Sequence, residues 1–140
     1  MTSPLVATAD ELDQLLRDTA FTRAYGFYLK QIEDGRCTIG VPFQATFERP
    51  GGMVSGQVFM AAADVAMWLA ILGKLGPRDL STTSEMTTAF LSRAEQEDFE
   101  CTAEILKMGR RLIYGVAECV NARGRRLTHH TVSYMRSAVS

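Results

Sequence analysis

The sequence predicts an α+β domain in which one strongly curved antiparallel sheet wraps a long buried helix. Three observations predict it. Val58 to Leu72 is a run of fifteen residues with five alanines, which favour helix over strand, and only Asp64 in it is not apolar. Six other segments have the alternation, or the Thr, Val, Ile and aromatic content, of strands. A helix that is apolar all round must be covered on most sides, and a curved sheet does this economically. The 140 residues, 46% apolar and 22% charged, suit a single domain spanning 1–140, with no repeat, low-complexity stretch or linker.

Thr8-Ala9-Asp10-Glu11 has the pattern of a capping box, and Leu12, Leu15 and Leu16 follow on one helical face. A short amphipathic helix is therefore expected from Ala9 to Ala20. Tyr25 to Ile32 and Arg36 to Val41 read as strands joined by Glu33-Asp34-Gly35, where Asp-Gly is a hairpin signal and Pro42 limits the second strand. Glu48 to Gly52 is a loop carrying Pro50-Gly51-Gly52. Ser55 is placed to cap the long helix, with Gly56 and Gln57 in its first turn. A membrane span needs about 20 apolar residues. This run is shorter and has an acid at its middle, so it reads as a core helix ended by Gly73 and Gly76-Pro77. Thr82 to Leu91, Phe99 to Met108, Leu112 to Val120 and Leu127 to Met135 read as four strands in hairpin succession, with a turn at Asn121 to Gly124.

A net charge of −1 gives no reason to expect nucleic acid or an anionic membrane as partner. Cys37, Cys101 and Cys119 are odd in number and widely spaced, which suits small buried hydrophobes in a reducing compartment. Met1 to Asp13 has no basic stretch followed by an apolar core, so a cytoplasmic protein is expected. His129 and His130 are adjacent, point to opposite faces of a strand, and cannot chelate one metal together. No metal or other cofactor is expected. The Gly-x-Ser-x-Gly elbow, the P-loop and the GxGxxG strand–helix unit do not occur.

Asp64 is the anomaly, because an unpaired buried carboxylate is costly. One reading is a helix-to-sheet hydrogen bond to Thr or Ser on a neighbouring strand. The other is a catalytic carboxylate at the floor of an apolar cleft, suited to general-base work. Ser55-Gly56-Gln57 opens the same helix, where outward N–H groups hold an anion, polarise a carbonyl, or simply form an N-cap. Gly56 and Asp64 are eight residues apart, about 12 Å along a helix axis. One chain's pair cannot share a small reacting group, whereas antiparallel pairing of two such helices brings Asp64 of one near Gly56 of the other. A working pair therefore implies at least a homodimer.

The string Gly51-Gly52-Met53-Val54-Ser55-Gly56-Gln57-Val58-Phe59-Met60-Ala61-Ala62-Ala63-Asp64-Val65-Ala66-Met67 resembles the central-helix motif of hotdog-fold acyl-CoA thioesterases. The nearest type is the PaaI-like and 4-hydroxybenzoyl-CoA thioesterase group, with the pattern G-x-x-H-G-G-x-x-x-x-L-A-D-x-A-M. Its acid falls nine residues after the His, as Asp64 falls nine after Ser55. Thr83 to Leu91 is similar to the group's T-V-E-L-x-I-N-F-L, and Thr102 to Arg111 to its A-E-V-x-x-x-G-R-R. The resemblance covers most of the chain after Tyr25.

It implies a hotdog fold, hydrolysis of an acyl-CoA thioester to free acid and CoA, and an active site at a homodimer interface, within a dimer or a dimer of dimers. Asp64 becomes the nucleophile or general base, and the Gly56 N–H polarises the carbonyl. Ser55, Gln57, Trp68, Thr83 and Glu85 join the substrate-binding set, as do Gly109, Arg110 and Arg111 in the turn where the family often meets CoA. Arg123, Arg125 and Arg126 add positive charge to another turn. The chain departs from the pattern at Ser55, where the family has His, and at Gln57, where it has Gly. Those departures motivate the alternative of a non-catalytic acyl-CoA or lipid-binding module on the same fold, or a structural subunit of a mixed assembly. The lack of a His near either end of the central helix argues against the fold's hydratase branch.

Overall fold

The structure, a computed structural model, describes residues 4–137; residues 1–3 and 138–140 of the expected 1–140 domain lie outside the described residues. Two short helices, α1 (Ala9–Asp18) and α2 (Ala20–Tyr25), precede a hairpin of β1 (Tyr28–Glu33) and β2 (Arg36–Val41). A 3-10 turn (Ala45–Phe47) and a two-residue hairpin, β3 (Glu48–Arg49) and β4 (Met53–Val54), lead into the central helix α3 (Gly56–Leu75). Four long strands follow: β5 (Thr82–Phe90), β6 (Phe99–Met108), β7 (Leu112–Asn121) and β8 (Arg126–Met135). The six long strands form one antiparallel sheet in the order β1-β2-β6-β7-β8-β5. It wraps α3, which is the hotdog arrangement expected.

The capping box forms as expected: Glu11 N–H donates to Thr8 Oγ1 (3.2 Å) and Thr8 N–H to Glu11 Oε1 (3.0 Å). Three expectations are corrected. The helix expected from Ala9 to Ala20 breaks at Thr19 and resumes as α2, so Tyr25 is helical and the first strand starts at Tyr28. The Thr22 hydroxyl holds this corner by donating to the Leu16 carbonyl (2.7 Å), and Gly26 ends α2 at a left-handed φ of 75°. Glu48 to Gly52, expected as loop, begins with strand β3 (Glu48–Arg49), which pairs with β4 (Met53–Val54) across the Pro50-Gly51-Gly52 turn. Of the last four strands β6, β7 and β8 follow in hairpin succession as expected, but β5 pairs with β8 at the sheet edge instead of with β6. Its connection to β6 cannot fold back: Leu91 and Ser92 N–H groups donate to the Leu127 carbonyl, and Val54 N–H to the Ala94 carbonyl.

Met67, Leu69, Ile71 and Leu72 on α3 are fully enclosed, each contributing about 1.5–3 kcal/mol. α3 is long and apolar enough to cross a membrane by length and composition, and 67% of its most apolar window is buried inside the fold. Its close seat on the sheet depends on Gly115, where a β-carbon would collide with the Glu104 carbonyl oxygen and the Met67 methyl. Strand bulges at four places in the sheet add to the curvature that wraps the helix.

Candidate active site

One face of α3 is not covered by its own sheet. Gln57, Met60, Ala61, Asp64 and Trp68 recur on it at helical spacing; Gln57 and Met60 are exposed, and the other three are half-buried. Asp64 is the only charged residue of the strip. Its Oδ1 accepts hydrogen bonds from Thr83 Oγ1 (2.6 Å) and Tyr134 Oη (2.8 Å). The same Tyr134 hydroxyl lies 3.0 Å from the Asp64 carbonyl oxygen. The helix-to-sheet bond of the first reading is therefore present, but it occupies one carboxylate oxygen; Oδ2 has no protein hydrogen-bond partner among the described residues.

Thr83 reaches Asp64 because of a bulge. In a regular strand Thr83 and Glu85 share a face. Here Ser84 is the extra residue, and Thr83 and Glu85 oppose the consecutive residues Tyr134 and Ser133. Thr83 consequently lies on the inner face with buried Tyr134, and Glu85 on the outer face with Ser133. The structure separates two residues that strand periodicity places together. Trp68, one turn beyond Asp64, shares the bare strip and packs against the edge of the core.

Tyr134 is 3% exposed. Burial, and then the neighbouring Asp64 charge, push its phenol well above the usual tyrosine range, so it remains a donor. The sequence reading placed β8 but did not single out Tyr134. A signal existed: Tyr134 lies at even spacing from inward-facing His130 and Val132, and a buried tyrosine hydroxyl needs a partner.

The N-terminus of α3 is assembled separately. Ser55 occupies the cap position, but no side chain caps the helix. The Ser55 hydroxyl instead pairs with the Gln57 side-chain oxygen, a correction to the cap expected there. Its own N–H donates to the Phe47 carbonyl (2.8 Å). Phe90, at the end of β5, rests against Gly56, where a β-carbon would approach its ring to 3.1 Å. Gly56 opens onto a groove of about 340 Å³ lined by Phe59 and Phe90 together with Arg49 and Arg93. Ser55 and Gln57 line another groove, of about 400 Å³, against Tyr25 and Phe47. Neither groove reaches Asp64.

The basic turns fall at opposite ends of the sheet. Gly109, Arg110 and Arg111 join β6 to β7 at the end where β5 begins and β8 finishes, which is the Asp64 end; both arginines are exposed. Arg136 Nη1 donates to the Gly109 carbonyl (3.2 Å). Arg123 and Arg125 lie in the turn from β7 to β8, and Arg126 opens β8, at the Gly56 end. There Arg125 Nε donates to Ser92 Oγ (3.0 Å), and Arg126 pairs with Glu118.

The cysteines are all buried and free, as expected. Burial pushes the Cys37 thiol up to about 12, so it is no nucleophile at neutral pH. His129 lies on the outer side of β8 beside Glu118, and His130 is sealed inside between the Thr88 and Thr128 hydroxyls. Among the described residues no group of three or more His, Cys, Asp or Glu is placed to hold a metal ion.

With this geometry in place, the comparisons with known proteins are specific. The family model for the thioesterase superfamily matches residues 51–128, from the turn before α3 into β8. A candidate esterase of Saccharolobus solfataricus is 29% identical over 94 residues, which span 67% of this chain and 66% of that one. The crystal structure of a candidate thioesterase from Silicibacter sp. TM1040 superposes with a TM-score of 0.84 at 29% identity, covering 95% of this chain and 94% of that one. The E. coli PaaI protein from the phenylacetic acid degradation operon gives 0.82 at 16% identity, covering 91% of each chain, a likeness of fold alone.

Proposed function

The chain belongs to the thioesterase superfamily, and from that premise we propose that it hydrolyses an acyl-CoA thioester to the free acid and coenzyme A. The observation that carries this reading is Asp64: the one charged group on the bare strip of α3, tethered through Oδ1, with Oδ2 left over. Two copies of the chain pack with their α3 helices antiparallel, and Gly56 of the second copy comes opposite Asp64 of the first.

Two routes fit these groups. In the first, Asp64 removes a proton from water, the water oxygen attacks the thioester carbon, and the collapsing intermediate expels the CoA thiolate, which takes up the proton. In the second, Asp64 attacks the carbonyl carbon, the CoA thiolate leaves, and water cleaves the resulting anhydride. In both, the Gly56 N–H at the uncapped, positive end of α3 stabilises the oxyanion. Neither route needs a metal or a cofactor beyond the CoA of the substrate. The apolar strip of Met60, Ala61 and Trp68 suits an acyl group. Arg49 and Arg93 beside Gly56, with Arg110 and Arg111 at the Asp64 end, suit the CoA phosphates. Glu85, on the outer face of β5, has no part in this arrangement. The assembly is a homodimer or a dimer of dimers in the cytoplasm, with neither nucleic acid nor membrane as partner.

Thiol release from short, medium, long and aromatic acyl-CoAs tests the reading, with wild type and Asp64→Asn run in parallel. Turnover in wild type that collapses in the variant supports it; no turnover on any member sinks it. One observation favours a second reading, an acyl-CoA or lipid-binding module without catalysis: Ser55 and Gln57 pair with each other at the mouth of α3, where the family pattern has His and Gly. That reading predicts a thermal shift with acyl-CoA and no thiol release.

A further inference from the structure

Asp64 is held by two hydroxyls, and both choose the same oxygen. Thr83 comes from the edge strand β5, whose residues are mostly exposed. Tyr134 comes from β8, which is paired on both sides, and its ring is 3% exposed. The two anchors therefore differ in how far the fold encloses them. The tyrosine ring has no room to move, and its hydroxyl spans the Asp64 side chain and main chain at once, 2.8 Å from Oδ1 and 3.0 Å from the carbonyl oxygen. A side chain tied to its own main chain through one rigid group has its rotamer fixed. With Oδ1 taken on the sheet side, Oδ2 is the free oxygen.

We propose that Tyr134 is a positioning residue for the reaction: its hydroxyl locks the Asp64 carboxylate so that Oδ2 is the oxygen that attacks the thioester or draws the proton from water. The proposal rests on the thioesterase reading above and deepens it. Tyr134 does not touch the substrate and acts only through Asp64. A rate that depends on the aim of one oxygen falls steeply when that aim is lost, although substrate binding elsewhere is intact. Thr83 holds the same oxygen but makes no bond to the Asp64 main chain, so it does not tie the side chain to its own backbone as Tyr134 does.

The test compares wild type, Tyr134→Phe and a variant carrying p-aminophenylalanine at 134, which keeps a ring of similar size and a donor. Thiol release gives kcat and KM, and thermal melting reports the fold. Tyr134→Phe is expected to lower kcat about 10–100-fold, with KM within about twofold and the melting temperature nearly unchanged; the amino variant recovers most of the rate. A Tyr134→Phe kcat within threefold of wild type overturns the inference and leaves the thioesterase reading standing. A KM that rises while kcat holds also overturns it, since that is the mark of a lost binding contact. If the Phe variant loses its cooperative melt, the amino variant decides: a near-normal kcat supports the inference, and a kcat as low as that of Asp64→Asn overturns it. A wild type that releases no thiol removes the premise and the inference with it.

Discussion

His130 and Tyr134 lie four residues apart on the inner face of β8, and each meets hydroxyls, but the two clusters are finished differently. His130 is 0% exposed, with Thr88 Oγ1 2.8 Å from Nδ1 and Thr128 Oγ1 2.7 Å from Nε2. A hydroxyl donates or accepts as the ring requires, so both nitrogens are satisfied within the chain. The Asp64–Thr83–Tyr134 cluster uses the same hydroxyl chemistry, yet it lies under the uncovered strip of α3 and leaves one carboxylate oxygen without a partner among the described residues. A sealed polar group must be satisfied by the fold that seals it. A group at an opening can keep an atom in reserve for something that is not yet there. The contrast separates a residue that specifies the core from one equipped for chemistry.

Substitutions at the two clusters break or sharpen this contrast. The largest effect is expected from Asp64→Asn, which should reduce thiol release about 10²–10⁴-fold while the melting temperature moves little. Retention of even a tenth of wild-type turnover would erase the distinction. His130→Leu should do the reverse: it leaves two hydroxyls unpaired and lowers stability by about 2–4 kcal/mol, read as an earlier urea midpoint, with kcat per folded molecule nearly unchanged. Thr88→Val removes one of the two ring partners and should cost about 1–2 kcal/mol by the same measurement. The smallest effect belongs to the outer side of β8, where Glu118→Gln loses its pairing with Arg126 and His129. Those side chains are 35–61% exposed, so the loss should stay within a few tenths of a kcal/mol and vanish in high salt.

Much of this architecture is legible in the sequence because single strong signals carry it. The apolar run around Asp64 specifies α3, alternation gives β6 its observed ends, and the capping box places the start of α1. The misjudged regions are those where a side chain or a pairing choice overrides the local pattern. Thr22 holds a corner by bonding back six residues, and no local propensity announces that bond. The pairing of β5 with β8 depends on where its connection is pinned, which is a matter of long-range closure. At the site, Asp64 and Gly56 stand out as an acid in an apolar helix and a glycine at its start. Tyr134 does not stand out, because its partner Asp64 lies on a distant element, and the facing of Glu85, which joined the set through the resemblance, is reset by the bulge at Ser84.

The glycine under the helix has a consequence for how this chain can change over generations. Met67 and the Glu104 carbonyl fill the space that a side chain at position 115 would need, and they set how closely α3 approaches the sheet. The bonds from Thr83 and Tyr134 to Asp64, at 2.6 and 2.8 Å, have only tenths of an ångström to spare. Every missense mutation at Gly115 adds atoms at that seam, so none is a small step. Inheritance can explore the rim of the bare strip residue by residue, but it can shift the height of the carboxylate only by compensated pairs of changes.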